Sequence, residues 1–115
     1  MSDLLIQCIG DVTVVSFVDT SILDQVHIQR IAEPLYHLVD AQDRRKLILD
    51  FSSVKLLSSQ MMGVLLTLNK KMKAIKGKMV FCGLKPDLQK LFQVTGLEKL
   101  FEFYPDEPEA MDAFN

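Results

Sequence analysis

A chain of 115 residues, 49% hydrophobic and 24% charged, is long enough to bury one core and too apolar to be a disordered or fibrous segment. Thirteen basic against fifteen acidic residues leave a formal net charge of -2, so no positive field gathers phosphate backbones and nucleic-acid binding is not expected. No apolar run approaches the roughly 18 residues that cross a bilayer, and MSDLLIQCIGDV has no basic segment ahead of a long apolar one. A cytoplasmic protein without direct membrane insertion is therefore expected.

In chain order, DLLIQCIG and DVTVVSFV read as two β-strands joined by a hairpin at Gly10 and Asp11. After DTS, the residues Leu23, Val26, Ile31, Leu35, Leu38 and Val39 recur at helical spacing, with Ser21 or Asp24 available as the cap. Pro34 should kink that helix or divide it. KLILDF, apolar almost throughout, suits a strand at the sheet centre, buried on both faces.

From Ser59 onward, Met61, Leu65, Leu68, Met72 and Ile75 follow the helical period, with Asn69, Lys70, Lys73 and Lys76 on other sides and Gly77 ending the helix. KMVFCGL is a further buried strand. Pro86 then opens the short helix DLQKLFQVTG, which Gly96 closes. LEKLFEFY predicts a turn and a short edge strand, and PDEPEAMDAFN a final helix with acidic residues in its first turn. The expected architecture is α/β: one domain over residues 1–115, with a mixed central sheet of about four to five strands and helices packed against it.

The inventory of chemistry-bearing groups holds no catalytic set. Cys8 and Cys82 each sit in a strand-like apolar segment, which predicts buried reduced thiols. His27 and His37 stand ten positions apart and point to different sides of one helix, so they make no metal site together. The glycines stand singly, without a phosphate-cradling loop, and neither Ser58 nor Ser59 has the glycine flanks of a nucleophile elbow. No enzyme activity, metal or cofactor is expected. Asp19, Asp24, Asp50 and Asp106 fall near element ends, where capping and turns account for them, and the lysines from Lys70 to Lys78 suit a solvated helix end.

KLLSSQMMG is the stretch that capping alone does not exhaust. One serine serves as an N-cap, worth roughly 1 kcal/mol, but the second then stands in the first turn with its hydroxyl uncommitted. A phosphate there would meet amides without helical partners and the positive end of the helix dipole. Adjacent helical positions diverge by about 100°, so Met61 and Met62 are not expected to face the sheet together; one should be exposed and available for adaptable protein contacts.

The stretch LILDFSSVKLLSSQMMGVLLTLNKKMKAIKGKMVFCGL, continued by KPDLQKLFQVTGLEKLFEFY, resembles the STAS family of bacterial anti-sigma factor antagonists and sulfate-transporter tails over residues 46 to 104. That family carries Asp-Ser-Ser-Gly-x-Gly in the loop before the helix, and its first serine is phosphorylated by a switch kinase that is also the anti-sigma factor. A gapless alignment from Asp50 to Gly77 sets Ser58 at the family's aspartate, Ser59 at its acceptor, Gln60 at its second serine, and Met61 and Gly63 at its glycines. The resemblance thus implies Ser59 as phosphorylation acceptor, with Ser58 as second choice if the register slides by one.

It further implies a signalling protein that regulates transcription by partner switching. Ser58, Ser59, Gln60, Met61, Met62 and Gly63 would form the surface for a serine kinase/anti-sigma factor. The alternative is a STAS-like structural subunit of a membrane transport ATPase or a stress-signalling scaffold, with no phosphorylation switch and Ser59 only a cap. An edge strand or an exposed methionine also offers a route to a homodimer.

Overall fold

The computed structural model describes residues 4–114. Along the chain these form β1 (Leu4–Ile9), β2 (Val12–Phe17), β3 (Ser21–Ile22), α1 (Gln25–Asp40), β4 (Lys46–Asp50), β5 (Leu56–Leu57) and α2 (Ser59–Ala74). There follow β6 (Lys78–Cys82), α3 (Pro86–Val94), a 3-10 turn (Leu97–Lys99), β7 (Glu102–Tyr104) and α4 (Glu107–Asp112). Asp3, expected in the first strand, and Asn115, expected in the last helix, lie outside the described residues.

Five strands form one mixed sheet in the order β1-β2-β4-β6-β7, with β1 and β2 antiparallel and the other neighbours parallel. The hairpin turns at Gly10, whose φ of 62° is the left-handed conformation that glycine adopts without a Cβ penalty. Asp11 beside it accepts from Lys46 Nζ at 2.7 Å, and that bond is the main reason its carboxyl lies below the usual carboxylate range. β4 occupies the centre, as its apolar run predicts, and Leu47, Ile48 and Leu49 are all fully buried. β3 and β5 make a separate parallel pair. Two residues per strand leave no periodicity, so this pair is not legible from local pattern.

Strand alternation divides the core between the two faces of the sheet. Val15, Phe17, Leu47, Leu49, Met79 and Phe81 share one cluster with apolar residues of α1, α2 and α3. Val12, Val14, Ile48, Val80 and Cys82 form the other with Ala110 of α4. Phe81 is the hub of the larger cluster, 4.5 Å from Phe101 and 5.1 Å from Phe51 between ring centroids.

Several sequence expectations are corrected by this packing. α1 starts at Gln25, capped by Asp24, whose carboxylate accepts from the Val26 and His27 amides. Its buried residues are Ile28, Ile31, Ala32, Leu35, Leu38 and Val39, while Leu23 precedes the helix and Val26 lies off the stripe, both exposed. The helix is not divided at Pro34, which sits on its exposed side. Met61 and Met62 are both buried, at 0% and 5% exposure, because α2 packs against α1 as well as the sheet, and two neighbours bury a wider arc than one. Cys8 is exposed, since β1 is an outer strand that reaches the core only at Leu4, whereas Cys82 is buried beneath α4.

Gly77 has a different role from the expected helix stop. The left-handed residue after α2 is Lys76, with φ 57°, and the Gly77 amide closes the turn on the Met72 carbonyl at 2.7 Å. A Cβ on Gly77 would stand 2.9 Å from the Arg45 carbonyl oxygen and 2.7 Å from Met72 Cε. Gly77→Ala should therefore destabilise the fold by about 1–3 kcal/mol, read as a lower midpoint in urea unfolding.

The Cys82 thiol is pushed up to about 12, by burial first and then by the negative charges of Asp50, Glu107 and Asp106. The native state thus favours the neutral thiol; this contribution to stability is whole below the ordinary pKa of 9.0 and is lost as pH rises towards 12. Near pH 8 an aromatic disulfide reagent should titrate Cys8 in the native protein and reach Cys82 only after unfolding.

Candidate functional site

The candidate site is the amino-terminal tip of α2, and its position is set by the loop that leaves β4. Phe51, Val54 and Leu57 are buried, so every third residue of this loop is anchored in the core. Phe51 stacks on Phe17 at 4.7 Å. The Asp50 carboxylate accepts from the Ser52 amide at 2.9 Å, and Lys85 Nζ donates to the Ser52 carbonyl. Farther along, the Lys55 and Leu56 amides both donate to the Thr20 carbonyl, and the Ser58 amide donates to that of Ile22 at 3.0 Å. The β3–β5 pair is thus a clamp that joins the loop before α1 to the loop before α2.

Ser58 is the N-cap of α2. Its Oγ accepts from the Met61 amide at 3.1 Å, and its carbonyl accepts the first helical bond, from Met62, at 3.2 Å. That hydroxyl is therefore engaged, on a half-buried residue. Ser59 is the first helical residue and is exposed, with its amide and that of Gln60 ahead of the first helical bond. No acidic side chain stands in this first turn.

The six residues singled out from the sequence fall into two groups. Ser59, Gln60 and Gly63 reach the surface, while Met61 and Met62 anchor the tip from within; Ser58 joins the two. Gly63 lies one turn after Ser59, on the same face, and a Cβ there would meet no atom within 4 Å. The absent side chain leaves the Ser59 face of the helix low, and packing within this chain does not demand it.

Sequence reasoning missed the surroundings of this tip. Leu23, Val26 and Leu56 are exposed large hydrophobic residues on the segments that the β3–β5 clamp gathers beside Ser58. Leu56 precedes the cap by two residues, and Leu23 follows the carbonyl that holds the Ser58 amide. The available signal was spacing: Ile28, Ile31, Leu35 and Leu38 define one stripe, and Val26, two residues before Ile28, points to the opposite side. Such apolar residues rimmed by polar ones suit a protein contact.

His27, near the start of α1, places Nε2 2.7 Å from an Asp19 carboxylate oxygen. Among the described residues no group of three His, Cys, Asp or Glu side chains could hold a metal ion, and no helix is long and apolar enough to cross a membrane. Since Gly63 lies inside a helix with open space around it, Gly63→Ala should raise stability by about 0.5–1 kcal/mol, measured as a higher midpoint in urea unfolding.

Comparison with known proteins gives this geometry a setting. The profile of the STAS domain matches residues 4–110. BtrV of Bordetella bronchiseptica, named among the anti-sigma factor antagonists, is 26% identical over 93 residues, covering 81% of this chain and 79% of its own. A STAS domain protein from Planctomyces limnophilus superimposes with a TM-score of 0.88 at 24% identity, covering 100% of this chain and 99% of its own. The Bacillus cell fate determinant SpoIIAA, solved in its phosphorylated form, has a TM-score of 0.75 at 18% identity, covering 97% and 99% respectively. The mixed sheet, the helix order and the long profile match agree, and the chain belongs to the STAS domain family.

Proposed function

We propose that this chain is a non-catalytic partner-switching protein of the anti-sigma factor antagonist type, which docks a serine kinase/anti-sigma factor through the tip of α2 and is released when Ser59 is phosphorylated. The observation that carries this reading is the division of labour between the two serines. Ser58 spends its hydroxyl on the cap, whereas Ser59 is exposed at the first helical position. A phosphate on Ser59 would leave the cap intact and meet the positive end of the helix dipole, so the fold can carry either state. The exposed Leu23, Val26 and Leu56 supply apolar contact area around it, and Gly63 permits close approach to the helix. The phosphorylated SpoIIAA structure supports the assignment by analogy of fold.

Release is a matter of charge. A phosphoserine brings about -1.5 to -2 charge into a covered surface, and a loss of about 3 kcal/mol weakens binding roughly a hundredfold. A structural-subunit or scaffold role would leave Ser59 without a switch, and the absence of an acidic residue in the first turn of α2 suits that second reading.

Incubation with the histidine-kinase-like ATPase partner and ATP, followed by mass spectrometry of the peptides, should place phosphate on Ser59. Modification confined to residues away from Ser58 and Ser59 would overturn the assignment. Ser59→Glu should fold normally yet bind that partner more weakly than Ser59→Ala; equal affinity would leave the structural-subunit reading in possession.

A further inference from the structure

β1 is an outer strand of the five-stranded sheet, and its outer edge from Leu5 to Ile9 lacks the features that usually keep such edges apart. Leu4–Ile9 reads LLIQCI, without a charge or a proline. Its register with β2 runs from Leu4↔Phe17 to Ile9↔Val12 with no skipped residue, so no bulge turns the edge aside. Leu5 is 63% and Ile6 44% exposed, on opposite faces, and Gln7, Cys8 and Ile9 are exposed with them.

The hairpin decides which backbone groups look outward. A two-residue turn makes Ile9 and Val12 the closing hydrogen-bonded pair, so Gln7↔Val14 and Leu5↔Ser16 are hydrogen-bonded pairs too. The alternate residues Ile6 and Cys8 then turn N–H and C=O to the free edge.

We propose that β1 pairs antiparallel with β1 of a second copy about a twofold axis at Ile6, joining the two sheets into one. In this register Ile6 faces Ile6, with reciprocal N–H to C=O bonds, and Leu5 faces Gln7. Ile6 covers its copy on one face, the Leu5 side chain lies against the uncharged Gln7 on the other, and no charge meets a like charge. An uncharged strand with outward groups at its own midpoint is its own complement, which favours a second copy over an unrelated strand. Moving the axis to Cys8 would drive the pairing into the Gly10 turn, so the hairpin itself limits the register. No β1 residue belongs to the patch around Ser59, and the inference stands apart from the switch reading.

A six-residue edge falls at the small end of protein interfaces, so the dimer should form reversibly at micromolar rather than nanomolar concentration. Sedimentation equilibrium of the full chain, from micromolar to millimolar concentration, should show a monomer–dimer equilibrium. Ile6→Lys places like charges opposite each other and should weaken it by about thirtyfold or more, whereas Val94→Lys, on the exposed side of α3, should leave it unchanged. In a Cys8→Ser background, Ile6→Cys should give a disulfide-linked dimer, because a hydrogen-bonded antiparallel pair holds its Cα atoms about 5.5 Å apart, while Gln7→Cys should not. A chain that stays monomeric throughout, a dimer indifferent to Ile6→Lys, or equal crosslinking from Gln7→Cys would each overturn the proposal.

Discussion

The burial of Phe51, Val54 and Leu57 decides where α2 begins, and the candidate surface depends on that point. A strand leaving the centre of the sheet must return over it as a helix, and the loop between them is pinned at three places in the core. Phe51 sits in an aromatic cluster with Phe17 and Phe81, a set of ring contacts each worth about 0.5–1.5 kcal/mol beyond area burial. With those anchors set, Ser58 falls at the cap and Ser59 at the first helical position, and a slip of one residue would take the cap from Ser58.

The same helix end serves stability and contact through different sides. Met61 and Met62 face inward and hold the tip against α1 and the sheet, while Ser59, Gln60 and Gly63 face water. Because adjacent residues are buried, the outward face is narrow, and a glycine on it lowers the profile further. The β3–β5 clamp widens this surface by fixing Leu23 and Leu56 beside the tip. Two backbone pairs thus bring distant parts of the chain beside the cap of α2.

The sheet is covered unevenly. Among the described residues, α1, α2 and α3 seal one face, whereas the other carries α4 alone, packed on β4, β6 and β7. β1 reaches the core only through Leu4, which leaves its other apolar side chains and Cys8 in water, while Cys82, under α4, is held neutral by burial and nearby carboxylates. Two cysteines in similar apolar strands thus meet opposite environments.

Read from the residues alone, the order of the main strands and helices, the central place of KLILDF, the Gly10 turn and the capping roles of Asp24 and Asp106 were all legible, because each is written in local periodicity or turn chemistry. A serine cap followed by a serine in the first turn was legible for the same reason, and the structure gives the cap to Ser58 rather than Ser59. The two buried methionines, the exposed Cys8 and the close approach that excludes a side chain at Gly77 were not, since each depends on which element lies opposite, a matter of contacts between residues far apart in the chain. Local sequence determined the elements and their ends; tertiary packing decided which faces were covered, because burial belongs to a pair of surfaces and one strand or helix carries only half of that information.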